Sequence, residues 1–283
     1  MLSFSLMVSR KKMLRIYSLL TLFCAVVVGA NAMDLYSEWE ARVANKLVND
    51  TYLGEPVWLG EGSKKFLGII SPFRTDESSG GVILLHNIGT HPDWPEVISP
   101  LRIGLPEQGW TTLSIQMPML RPEVPVENYG RFTQLANERL LEAIKYLREQ
   151  QIYNIVIIAH GLGASYASQY LADNKDTGVF AFVGISMQTH DFLSPSIPLV
   201  KNLQKITIPI LDIYAEKDLL PVLQQAPDRR LSQQISKNEQ YTQLEIKGAD
   251  PHFRNSEANL VKRIRGWMDK VAPGVKIIGS NIN

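Results

Sequence analysis

The sequence predicts an α/β fold in one domain: a mostly parallel sheet of about eight strands, opened by an antiparallel hairpin and covered by helices on both faces. Three observations predict it. Short runs that are apolar along their whole length alternate with longer helical segments, the pattern of strands buried on both faces. Ahead of them, two strand-like runs are joined by the turn Glu61-Gly62-Ser63, a connection that suits an antiparallel pair. No repeat, low-complexity segment or Pro/Gly-rich linker divides the chain, and its 45% hydrophobic content supplies a large core.

Residues 1–32 stand apart from that core. Arg10, Lys11, Lys12 and Arg15 precede the apolar run Ile16 to Gly29, and Ala30-Asn31-Ala32 has the small-x-small pattern of a signal-peptidase site. The run is shorter than the ~20 residues of a spanning helix. The expectation is therefore a signal peptide cleaved after Ala32, a periplasmic or secreted product, and no membrane span after processing. The single domain would cover 33–283, with 272–283 as a tail that is either disordered or an added edge strand. Cys24, the only cysteine, lies in the leader behind Phe23, where a lipidation site would want a small residue, so no disulfide framework is expected.

The elements follow in order. Residues 33–47 read as an amphipathic helix and 55–73 as the hairpin. The later strands are expected at 81–86, 110–118, 152–159, 179–186, 208–215 and 241–248, each bounded by turn-forming residues. Helices are expected at 95–108, 131–150, 162–173, 227–237 and 256–270, where apolar residues recur with helical spacing.

Charge narrows the function. The formal charge of +1 would become about −3 without residues 1–32, which carry four basic and no acidic side chains. That balance gives no reason to expect nucleic-acid or anionic-membrane binding.

In an open parallel sheet the ligand site lies beyond the carboxyl ends of the strands. All five histidines fall there: His86, His91, His160, His190 and His252. A scatter would have put some on helices, so together they suggest a functional rim, although each alone could simply bond a loop backbone.

The motifs LLHNIG (84–89), AHGLGA (159–164), YAEKD (214–218) and GADPHF (248–253), in that order, resemble the α/β-hydrolase superfamily over residues 55–270. The resemblance is closer still to an exported bacterial group of hydrolase-like proteins of unestablished activity that lack the nucleophilic serine. It implies that Ala159 and Gly163 are the small residues flanking a strand-to-helix elbow, with Gly161 standing where the nucleophile would be. It also implies that Asp218 and His252 are the acid and base of a remnant triad. LLHNIG would then be an oxyanion loop, its hole built from the amides of Ile88 (or Asn87) and Leu162. Asn87 replaces a glycine of the family pattern; asparagine tolerates positive φ better than most residues, so the loop could survive.

Other chemistries fit less well. Gly161-Leu162-Gly163 is followed by Tyr166 where a dinucleotide turn needs a small residue, and no acid follows at the next strand end, so no nucleotide is expected. Ser165 lies one turn into the helix and would point away from the hole, while Ser114 and Ser186 belong to strands or their ends. His86, His91, Asp93, His190 and His252 have no recognised zinc spacing, so neither metal nor cofactor is expected. The sequence therefore favours a non-catalytic protein whose cleft binds an unidentified small molecule or an envelope protein. A slow ester or amide hydrolase that activates water through Asp218 and His252 is the alternative, and a metal-dependent hydrolase a lesser one.

Overall fold

The computed structural model describes residues 38–50 and 53–274. The expected signal peptide and all but the first three residues of the tail lie outside the described residues. Among the described residues no helix is long and apolar enough to cross a membrane.

Eight strands form one sheet in the order β1-β2-β4-β3-β5-β6-β7-β8. β1 (Glu55–Leu59) and β2 (Phe66–Ser71) make the antiparallel hairpin, and β2 pairs antiparallel with β4 (Trp110–Ile115). From there β3 (Gly80–Leu85), β5 (Ile155–His160), β6 (Val179–Ile185), β7 (Ile210–Ala215) and β8 (Tyr241–Ile246) run parallel. β2, β3, β4, β5 and β7 are buried at every position, which is why their sequences show no apolar–polar alternation, Thr111, Thr112 and Ser114 of β4 being buried as well.

The helices are α1 over 38–50, α2 (Ile98–Gly104), α3 (Thr133–Glu149), α4 (Leu162–Asp173), α5 (Leu199–Leu203), α6 (Leu220–Ser236) and α7 (Glu257–Val271). On one face Leu140, Ile144 and Leu147 of α3 and Tyr166, Ala167 and Leu171 of α4 cover Ile83, Ile157 and Phe182. On the other, Leu101 of α2 and Leu260, Ile264 and Met268 of α7 cover Val82, Ile158 and Val183. α1 caps the β2 end, packing Ala44 and Leu47 on Leu67 and Ile69. It is locked there by a buried ion pair in which Arg139 reaches Glu40 at 2.6 Å, while Glu40 also accepts the Met119 N–H at 2.8 Å.

Three helices depart from expectation. The one expected at 95–108 is α-helical only over Ile98–Gly104, followed by a 3-10 turn at Pro106–Gln108. α6 starts at Leu220 rather than 227: Pro221 sits in its first turn, where no N–H is needed, and Pro227 lies inside the helix. α5 was not expected, because it is only five residues long.

The topology makes β3 and β5 neighbours, so the loop after β3 and the turn after β5 share one end of the sheet. No large insertion separates β6 from β7, where residues 186–209 hold only α5.

Candidate functional site

The turn between β5 and α4 is built on Gly161, whose backbone is left-handed with φ 53° and ψ −116°. Its N–H donates to the Ile185 carbonyl at 3.0 Å and its own carbonyl accepts Ala164 N–H at 3.0 Å, so strand turns into helix within one residue. The small residue two places on has a steric cause. A Cβ on Gly163 would lie 2.6 Å from the His86 carbonyl oxygen, so the β3 loop and the start of α4 meet only because that atom is missing.

The loop after β3 is organised around the main-chain carbonyl of Asn87. Thr90 Oγ1 donates to it at 2.8 Å, and His86 Nδ1 lies 2.9 Å away. His86 Nε2 accepts Met117 N–H at 2.9 Å, which makes Nδ1 the protonated nitrogen and His86 a neutral, buried brace beneath the loop. The left-handed position of the loop is Gly89, with φ 71°; Asn87 does not use the positive φ that asparagine would allow.

What Asn87 supplies is its side chain. The carboxamide oxygen accepts Ile88 N–H at 2.8 Å and Leu162 N–H at 2.8 Å. These are the two amides expected to form the oxyanion hole. They do converge, and they converge on an oxygen of the chain itself. Because both partners are donors, the oxygen rather than the nitrogen of the carboxamide must face them. The same group occupies the space beside the elbow: a Cβ on Gly161 would stand 2.1 Å from Asn87 Oδ1 and 2.3 Å from Cγ. Asn87 and a serine at 161 therefore exclude each other without rearrangement.

Asp218 and His252 are not brought into a pair. Asp218 is buried, and its carboxylate accepts Ser186 Oγ–H at 2.6 Å, Ala215 N–H at 3.0 Å and Leu219 N–H at 2.8 Å. Burial pushes its carboxyl up, only partly offset by those three donors. His252, half-exposed, instead places Nδ1 2.7 Å from Glu96 Oε2. The other Glu96 oxygen accepts Arg254 Nε at 3.1 Å, and Trp94 Nε1 lies 3.3 Å from Oε2. Partial burial pushes the Glu96 carboxyl up, but the Trp94 and Arg254 hydrogen bonds and the His252 and Arg254 charges outweigh it and hold the group below the usual range.

The remaining histidines serve the scaffold more than the rim. His160 is buried at the end of β5 with Nδ1 unpartnered, and its pKa is lowered to about 4, by burial first and then by the His252 charge. His190 is buried 3.3 Å from Ser165 Oγ, whose hydroxyl also lies 3.4 Å from the Gln188 carbonyl in the loop after β6. His91 accepts Asp93 N–H and stands edge-on to Trp94. Asp93 itself is taken by Arg102 at 2.5 Å. Among the described residues no cluster of His, Cys, Asp or Glu is placed to hold a metal ion.

Sheet order, elbow and loop together define the α/β-hydrolase fold, and solved structures agree. A dienelactone hydrolase from Anabaena variabilis is similar at 18% identity and TM-score 0.62, covering 77% of this chain and 98% of its own. Est1E from Butyrivibrio proteoclasticus matches at 13% identity and TM-score 0.61, with the same coverages. An α/β serine hydrolase without lid from Xanthomonas campestris matches at 12% identity and TM-score 0.57, covering 79% and 97%. At such identities the likeness speaks to fold. The chain belongs to the family described as "Protein of unknown function (DUF3530)", whose model matches residues 34–133 and 130–270. A search of curated proteins finds no match.

Proposed function

We propose that this chain is a non-catalytic member of the hydrolase fold that binds a small ligand or a protein partner in the bacterial envelope. The observation that carries the reading is the Asn87 carboxamide oxygen on the amides of Ile88 and Leu162. An acyl-transfer site needs a nucleophile, a base within hydrogen-bond reach of it, and empty donors for the developing oxyanion. Here glycine stands in the first place, His252 is bonded to Glu96, and the donors are filled. Losing the hydroxyl alone would leave a hole still able to assist attack by water. Filling the hole removes that assistance, which weighs against a water-activating hydrolase built on Asp218 and His252. The basic-then-apolar segment before Ala32 supports export.

The test is covalent labelling. The purified protein should take up no serine-directed fluorophosphonate probe under conditions that fully label a serine esterase. Stoichiometric labelling at Ser165 or Ser186 would place a nucleophile elsewhere and overturn the reading.

A further inference from the structure

We infer that Glu96 is the positioning carboxylate of His252, and that the pair leaves the imidazole Nε2, on a half-exposed side chain, as a hydrogen-bond acceptor. The inference deepens the binding role proposed above, because it names the chemistry a ligand meets there. It begins from a contact of 2.7 Å between His252 Nδ1 and Glu96 Oε2, the geometry in which a carboxylate fixes an imidazole as its Nδ1–H tautomer.

The carboxylate is itself oriented. Arg254 holds Oε1 through Nε at 3.1 Å and Nη2 at 3.1 Å, and Trp94 Nε1 approaches Oε2. The loop that carries it is anchored at its start, where Arg102 on α2 binds Asp93 at 2.5 Å.

Backbone strain brings the partners together. Val97, directly after Glu96, has φ 63° and ψ −59°, and Ile98 N–H donates to the Glu96 carbonyl at 2.6 Å, closing a γ-turn. Phe253, directly after His252, has φ 56°. A β-branched and an aromatic residue are both strained in left-handed conformations. Both side chains are fully buried, which holds them there. Strain of this kind, flanking both members of one pair, points to a pair whose geometry matters.

Asp218, the position that the hydrolase pattern assigns to this role, is spent on Ser186 and two backbone amides. With Nδ1–H committed to Glu96, the neutral imidazole of His252 carries its lone pair on Nε2. The amides of Ile88 and Leu162, which would have received a carbonyl or carboxylate oxygen, are filled. The ligand this arrangement fits carries a hydrogen-bond donor, a hydroxyl or a protonated amine, where a hydrolase substrate would carry an acyl oxygen.

Imidazole 15N shifts of the labelled protein near neutral pH test the inference without reference to any activity, so they stand or fall separately from the labelling experiment. In the wild type, Nδ1 of His252 should carry the protonated-nitrogen shift and Nε2 the lone-pair shift. Glu96→Leu, similar in size and without an acceptor, should lose that signature, whereas Asp218→Asn should keep it. If Glu96→Leu does not fold, Glu96→Gln should move the Nδ1 proton upfield, because a charge-assisted bond is replaced by a neutral one. A wild-type His252 protonated on Nε2, a signature that survives Glu96→Leu, an unmoved proton in Glu96→Gln, or a signature lost in Asp218→Asn would each overturn it.

Discussion

Gly161→Ser should destabilise the protein by roughly 2–6 kcal/mol and should not create a reactive serine. The backbone at 161 is left-handed, which strains any side chain by about 1–3 kcal/mol. The new Cβ would also stand 2.1 Å from Asn87 Oδ1, so the carboxamide must leave. Its departure breaks the bonds to Ile88 and Leu162, each worth about 0.5–1.5 kcal/mol. For a chain of this size the sum corresponds to a melting temperature lower by roughly 4–24 °C. The hydroxyl would still lack a base, because His252 is held by Glu96. Adding Asn87→Gly removes the overlap, so the double variant should recover part of the loss and deviate from additivity by about 1 kcal/mol or more. A stable Gly161→Ser protein, with effects that simply add, would mean that the two positions do not compete.

Acidification should unfold the protein with a midpoint above about pH 4, within the range where three buried histidines are forced to charge. His86 is lowered from 6.5 to about 3, and His160 and His190 to about 4, each chiefly because burial penalises the imidazolium. A depressed histidine binds its proton more readily in the unfolded chain. Its contribution is therefore fully present above pH 6.5 and is lost as pH falls toward the folded value. By pH 4.5 each group costs on the order of 2 kcal/mol, so together they rival the usual 5–15 kcal/mol of total stability. Asp218 acts in the opposite direction, since its raised carboxyl takes up a proton more readily when folded. Circular dichroism against pH reads the midpoint, and His86→Gln should move it down. A fold that persists below pH 3 would contradict the assignment of these histidines as buried and neutral.

Much of the fold was legible because its signals are local. The apolar strands announce their burial, and the α4 boundaries, 162–173, follow from a glycine turn at one end and Asp173-Asn174 at the other. The helix expected at 227–237 begins about two turns earlier, because Pro221 takes the first-turn place and Pro227 is carried within the helix.

The site divides in the same way. The elbow and the converging amides are written in AHGLGA and LLHNIG, each a contiguous motif. What joins those amides is a contact between residues 75 apart, and the partner of His252 lies on a loop that no motif marks. One signal was available. Asparagine for glycine at 87 and glycine for serine at 161 are two departures from the same pattern, and the amide group gained in one fills the space vacated by the other.

The central claim is that the Asn87 carboxamide occupies the amides of Ile88 and Leu162, and amide hydrogen exchange at Leu162 tests it most directly. Leu162 is the first residue of α4, where an N–H has no partner within the helix and ordinarily exchanges freely. If Asn87 Oδ1 accepts it, exchange should be slow in the wild type and should rise by roughly fivefold or more in Asn87→Ala, with the rest of α4 unchanged. A Leu162 amide that exchanges freely in the wild type, or at the same rate in both proteins, would contradict the account.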